Sequence, residues 1–124
     1  MEKNPLAIAL DYFGAWTGGN IDSAASLIAD DATFDMPINE YPDKRSFVQA
    51  VEFTASSTSD VRLLAQFGNE QDALLIYDMR MAPIGELRIA EQFRVRDGKI
   101  RMIRHIHDTE KLRRAGFAGQ SVTP

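Results

Sequence analysis

The chain contains no cysteine, which removes disulfides, thiolate nucleophiles and thiolate metal ligands and fits a reducing compartment. Histidine is nearly as scarce: His105 and His107 are the only two, and two imidazoles need a further ligand to hold a metal, so no metal is expected. No stretch approaches the roughly 18 consecutive apolar residues of a membrane span, and no basic segment, apolar stretch and cleavage site open the chain. The expected location is the cytoplasm, with no membrane partner. Positive charge is not in excess. Fourteen Lys and Arg stand against 18 Asp and Glu, a formal net charge of -4, so no global field would gather nucleic acid. Gly14, Gly18 and Gly19 follow no strand and therefore make no phosphate cradle, and no Ser-His-Asp, Cys-His or dinucleotide pattern occurs. No cofactor is expected.

What is present suits one folded domain. A length of 124 residues, 44% hydrophobic and 26% charged, is enough for one core and too short for two, so residues 1–124 read as a single domain with 119–124 as a frayed tail. Asn4-Pro5 reads as an N-cap followed by proline at the first helical position. Leu6, Ala9, Leu10, Phe13 and Trp16 follow at helical spacing, with Ile8 and Tyr12 beside them, until Gly18-Gly19. Asp22 is placed to cap a second helix through Ala29, stapled by Ile21. Thr33 to Met36 reads as a short strand. Asp43 caps a third helix carrying Phe47, Ala50, Val51 and Thr54 on one side.

From Asp60 the apolar period changes from about 3.6 to 2, the mark of passing from helices to strands. Val61, Leu63, Ala65 and Phe67 share one phase, and Leu75, Tyr77, Met79 and Met81 another. The longest alternation is Leu87, Ile89, Glu91, Phe93 and Val95, in which Glu91 is the one acid on the covered face. An ionised carboxylate there is costly unless it is paired or hydrogen-bonded. Asp97-Gly98 turns the chain toward Arg101, His105 and His107. Helices first and a meander after imply an α+β fold, with a curved antiparallel sheet covered on its concave face by the N-terminal helices. Leu64, Leu74, Ile76, Ile100, Met102 and Ile106 fall on the other phase, and that second apolar face predicts a homodimer through the sheet.

Three segments carry a family likeness: Ala29-Asp30-Asp31-Ala32-Thr33-Phe34, the Val95-Arg96-Asp97-Gly98-Lys99-Ile100 turn, and His107-Asp108-Thr109. With the order of elements, they resemble the NTF2-like superfamily, in its SnoaL-like branch, over roughly residues 5 to 115. The resemblance implies a cone-shaped half-barrel with a pocket between helices and concave sheet. It also implies relatives that include ketosteroid isomerases, polyketide cyclases, epoxide hydrolases and non-catalytic binding or association domains. Against the isomerases, Tyr12 falls at the tyrosine that donates to the substrate oxygen and Glu91 at the acid that shares this duty, while the proton-shuttling aspartate corresponds to Met36. Against the epoxide hydrolases, His105 stands where they carry a catalytic aspartate, and their Arg and Asp partners correspond to Leu75 and Tyr77. Polyketide cyclases use a carboxylate in the same cavity, for which Glu91 is the candidate.

These observations support two readings. One is a cofactor-free acid/base isomerase, cyclase-type lyase or hydrolase acting on a small carbonyl or polycyclic compound. In it Tyr12 and Glu91 polarise the oxygen and His105, tuned by Arg101, moves the proton. The other is a non-catalytic small-ligand-binding or dimeric association module with the same pocket. In either case Trp16, Phe34, Met36, Phe53, Tyr77, Met79, Phe93, Arg101, Ile103 and His107 are expected to line the pocket around a small apolar or polycyclic ligand. The least determined element is the last strand. A two-residue type I′ turn at Asp97-Gly98 pairs Val95 with Ile100 and turns Arg104 inward, whereas a three-residue loop with a G1 bulge pairs Val95 with Lys99 and turns Arg101, His105 and His107 inward. The bulged turn is the expectation, since it gives the apolar phase an interface to bury.

Overall fold

A computed structural model describes residues 3–117; the expected tail at 119–124 lies outside them. The elements run α1 (Pro5–Thr17), α2 (Ile21–Ser26), β1 (Ile28–Asp35), α3 (Lys44–Ser57), β2 (Thr58–Gly68), β3 (Asp72–Met81), β4 (Gly85–Arg96), β5 (Lys99–Ile106) and α4 (Glu110–Arg114). The five strands form one sheet in the order β1-β5-β4-β3-β2. This is the expected α+β architecture, a curved and unclosed sheet with α1 packed across its strands and α3 against β1. The sheet is mixed rather than wholly antiparallel, because β1 runs parallel to β5. A strand that follows α2 and pairs with the last strand has that direction imposed on it.

Local chemistry explains the helix boundaries. Asn4 Oδ1 accepts from the Ala7 N–H at 2.8 Å, and Pro5 occupies the first turn, where its missing N–H costs nothing. Ile8, Ala9, Tyr12 and Trp16 form the buried face of α1. Asp43 and Ser46 close a reciprocal capping box at the start of α3. The expectation for α2 was misplaced at both ends. Asn20, not Asp22, is the cap, accepting from Ser23 N–H at 3.3 Å, and the helix stops at Ser26. Ile28 and Ala29 are buried in β1, which begins five residues earlier than Thr33. Pairing of Ile28 with Ile100 offers more than another half-turn of an already short helix.

In β3 and β4 the inward phases are those expected: Leu75, Tyr77, Met79 and Met81 are buried, as are Leu87, Ile89, Glu91, Phe93 and Val95. The β4–β5 hairpin departs from expectation in an instructive way. Val95 pairs with Ile100 and Arg96 with Lys99, so the turn is the two-residue kind, with Asp97 at φ 55° and Gly98 at φ 74°. Both central residues lie in the left-handed region that a type I′ turn requires, which the Asp-Gly pair tolerates. One residue further the register slips: Arg94 pairs with Met102, leaving Arg101 as an extra residue on β5. That β-bulge exchanges the two faces of the strand. Ile100 is therefore fully buried, yet beyond the bulge Ile103 and His105 also point inward, opposite Phe93 and Glu91.

Candidate functional site

A cavity of about 390 Å³ opens between the concave sheet and the helices. Its floor is set by three strands and one helix: Tyr77 from β3, Glu91 from β4, His105 from β5 and Tyr12 from α1 all line it. Glu91 is 1% exposed, and its two oxygens are both engaged. The Tyr77 hydroxyl donates to Oε1 at 3.1 Å, and His105 Nε2 lies 2.7 Å from Oε2. A buried carboxyl surrounded by Leu75, Ile89 and Phe93 is tolerable because these two partners replace the water it lost.

The other ring nitrogen, His105 Nδ1, has no hydrogen-bond partner among the described residues. In the neutral ring, with Nε2–H donated to Glu91, Nδ1 carries the lone pair. Tyr12 supplies the complementary group. Its hydroxyl has no protein partner among the described residues, while its ring is fixed edge-on against Phe93 with centroids 5.6 Å apart. Burial first, and the charge of Glu91 second, push the Tyr12 phenol well above its usual pKa. It is thus a hydrogen-bond donor throughout the physiological range. The same two causes raise Tyr77. His107, which also lines the cavity, gives Nδ1–H to the Asp108 carbonyl at 3.0 Å. Burial lowers its pKa, with the neighbouring His105 acting in the same direction and Asp108 opposing. The two imidazole rings lie 6.5 Å apart, and no group of three metal-ligating side chains occurs among the described residues.

Above this floor the walls are apolar. Trp16, Met79, Met81, Leu87 and Ile89 rise from helix and sheet, Phe47, Ala50, Val51 and Thr54 come from α3, and Met36 to Asn39 with Tyr41 come from the β1–α3 connection. Phe53, 51% exposed, stands at the mouth with Leu112 and Phe117. The phase of β3 and β4 and the face of α3 signalled most of these. Nothing in the sequence pattern marked residues 37–41.

Four expected pocket residues do not line the cavity. Phe34 stacks on Phe47, centroids 4.2 Å apart, and lines a second depression instead. Phe93 and Ile103 are fully buried in the core. Arg101, the extra residue of the bulge, pairs with Asp31 at 3.1 Å and Asp97 at 3.8 Å, so it does not tune His105. Arg104 is outward as well, bonded to Asp35 and Gln92. Ile100 leaves the outer apolar set for the core. On that outer face Leu64 and Ile106, 64% exposed in the latter case, alternate with ion pairs such as Arg88–Asp78 and Arg94–Asp72.

The SnoaL-like domain model matches residues 9–103. The chain belongs to the SnoaL-like family. Among solved structures similar to this SnoaL-like protein is one from Kribbella flavida DSM 17836, 30% identical, covering 90% of this chain and 92% of that one at a TM-score of 0.83. An NTF2-like protein from Cytophaga hutchinsonii ATCC 33406 is 17% identical, covering 90% and 98% at a TM-score of 0.75. A steroid delta-isomerase from Pseudomonas aeruginosa is also 17% identical, covering 91% and 95% at 0.72. The last two likenesses establish the NTF2-like fold and nothing finer. No curated protein matches the chain. No helix among the described residues is long and apolar enough to cross a membrane.

Proposed function

We propose that this SnoaL-like protein binds a small, largely apolar carbonyl compound and moves a proton next to the carbonyl, without a cofactor. The observation that carries the reading is the pair of unpartnered polar groups on the cavity floor, the Tyr12 hydroxyl and His105 Nδ1. Among the described residues every buried side-chain polar atom but Asn39 Oδ1 is paired, so a free donor and a free base facing one apolar cavity suit a ligand oxygen and an adjacent proton. In the proposed step His105 Nδ1 takes a proton from the carbon beside the carbonyl. The electron pair moves onto the oxygen, where the Tyr12 hydroxyl stabilises it, and the proton is returned from the imidazolium. Glu91 touches no ligand in this scheme. It fixes the ring of His105 and stabilises its charged form, while Tyr77 holds Glu91. This differs from the sequence expectation that Glu91 polarises the oxygen itself.

The test is exchange of the α-protons of 2-tetralone in heavy water, followed by proton NMR. Acceleration over buffer that disappears in His105→Ala and falls in Tyr12→Phe is the expected result; no acceleration would sink the catalytic reading. A second reading, a binding module without turnover, is favoured by one observation. Glu91 is the only carboxylate lining the cavity among the described residues, and both its oxygens are engaged. That module would bind 2-tetralone with no exchange. In either case the outer strip of Leu64, Leu74, Ile76, Met102 and Ile106 is read as the place of a second copy, checked by sedimentation at micromolar concentration.

A further inference from the structure

Asn39 lies in the connection between β1 and α3, between Pro37 and Pro42, and lines the cavity. Its Nδ2 donates to Tyr41 Oη at 3.5 Å, and the Tyr41 ring is held edge-on against Phe47, centroids 5.6 Å apart. Its Oδ1 is buried and has no hydrogen-bond partner, the one such side-chain atom among the described residues. A buried amide oxygen without a donor is rare and forfeits its hydration for nothing, so each instance calls for a missing partner. The floor does not use Asn39. Met36, Ile38, Tyr41 and Phe47 line the same cavity, and Asn39 borders the second depression as well.

We infer that Asn39 is a specificity-determining residue of this cavity, accepting a hydrogen bond from an O–H or N–H of the ligand. The proposal rests on the reading of the floor given above and extends it to the far end of the ligand. Tyr12 is a donor with no acceptor, and Asn39 Oδ1 is an acceptor with no donor. The matching ligand has an acceptor oxygen at one end, an apolar body, and a hydroxyl or amine at the other. A site built to hydrogen-bond such a group discriminates against analogues that lack it, because its own polar atom is then left buried and unpaired.

The experiment compares 2-naphthol with the 2,6-, 2,7- and 1,6-dihydroxynaphthalenes by isothermal titration calorimetry. On the wild-type protein at least one diol is expected to bind roughly three- to tenfold more tightly than 2-naphthol, the net worth of one hydrogen bond. Asn39→Leu should bring that ratio to about one by the same principle, with a cooperative thermal transition by circular dichroism showing that the variant is folded. Asn39→Asp keeps an acceptor oxygen at this position and should keep the preference. A ratio unaffected by Asn39→Leu, or no diol preference in the wild type, overturns the proposal. Loss of the preference in Asn39→Asp overturns the acceptor role and gives it to the amide N–H. The Tyr12→Phe variant separates the two readings. If it weakens 2-naphthol and every diol alike while the ratio ignores Asn39, the floor stands and this proposal falls. If 2-naphthol ignores Tyr12, the floor reading fails. No binding of any naphthol overturns both.

Discussion

Replacing Glu91 by glutamine changes one atom of the side chain and should reverse the polarity of the site. Glutamine offers one acceptor and one two-hydrogen donor where glutamate offers two acceptors. Keeping the donor role it has in the wild type, the Tyr77 hydroxyl takes the new carbonyl oxygen and leaves the NH2 facing His105 Nε2, 2.7 Å away in the wild type. That nitrogen must then carry the lone pair. The ring proton moves to Nδ1, and the group facing the cavity turns from a base into a donor. The fold should survive, because every member of the network keeps a partner. Each bond falls from the charge-assisted range of about 1.5–3 kcal/mol to the neutral range of about 0.5–1.5 kcal/mol, so the two together lose about 2–3 kcal/mol. An unfolding entropy of about 2.1 cal/mol/K per residue over 124 residues converts this to a Tm lower by about 8–12 °C. Glu91→Ala instead strands both partners. The loss of one member of a buried pair costs about 3–5 kcal/mol, or about 12–19 °C. The decisive assay is nitrogen-15 NMR of the imidazole. The wild type should show an unprotonated Nδ1 and Glu91→Gln an unprotonated Nε2, and any proton transfer from carbon should drop about 10²–10⁴-fold. The same tautomer in both proteins, or a Tm equal to that of Glu91→Ala, would refute the reasoning.

Tyr12→Phe removes a hydroxyl with no partner among the described residues, so its stability should stay within about 0.5 kcal/mol in chemical denaturation. Arg101→Ala removes two ion pairs outside the cavity; a loss of at most about 1 kcal/mol, with 2-naphthol affinity unchanged, is expected, and a large affinity loss would place Arg101 in the site after all. His107 has a lowered folded pKa, so the unfolded chain binds its proton more readily. Its contribution to stability is present above about pH 6.5 and is lost as pH falls toward the folded value. Denaturation midpoints between pH 5 and 7.5 should therefore slope less in His107→Asn than in the wild type. Gly98→Ala meets no atom within 4 Å, but it keeps φ at +74°; a cost of about 1–2 kcal/mol comes from the backbone alone, and an unchanged Tm would argue against the type I′ turn.

The last hairpin shows how far a sequence pattern reaches and where it stops. Period-2 alternation assigned the faces of β3 and β4 correctly, because there each strand keeps one phase from end to end. In β5 no single phase satisfies the side chains. Ile100 belongs inward, beside Val95 and Ile28, and His105 belongs inward, opposite Glu91, although the two are an odd number of residues apart. Placing the one-residue shift in the turn, as the sequence reading does, brings His105 inward but leaves Ile100 outside. The molecule places it after Ile100 instead and serves both. The residue put out of register is an arginine, whose long chain can leave the ladder and reach Asp31 and Asp97. Two apolar runs in opposite phases on one strand, joined by a charged residue, are thus a readable sign of a bulge. Asn39 left no comparable sign, since an unsatisfied oxygen is a property of everything around it.

That contrast follows from how the cavity is built. The floor residues Tyr77, Glu91 and His105 sit on three adjacent paired strands, so a shared register sets their separation and a few tenths of an ångström cannot be lost without breaking ladder bonds. Proton transfer needs that precision, and strands supply it. The part of the wall that comes from α3, residues 36–41 and Leu112 of α4 lies outside the strand ladder and can change ligand shape preference without disturbing the floor. If the proposed floor chemistry holds, a SnoaL-like chain that altered Asn39 or Met36 would accept a different compound with the same proton transfer. One that altered Glu91 or Tyr77 would keep its cavity and lose the base. On the proposed reading chemistry and selectivity are separable, and the Glu91→Gln and Asn39→Leu variants should show it: the first should change the His105 tautomer with the diol-to-naphthol ratio intact, the second the reverse.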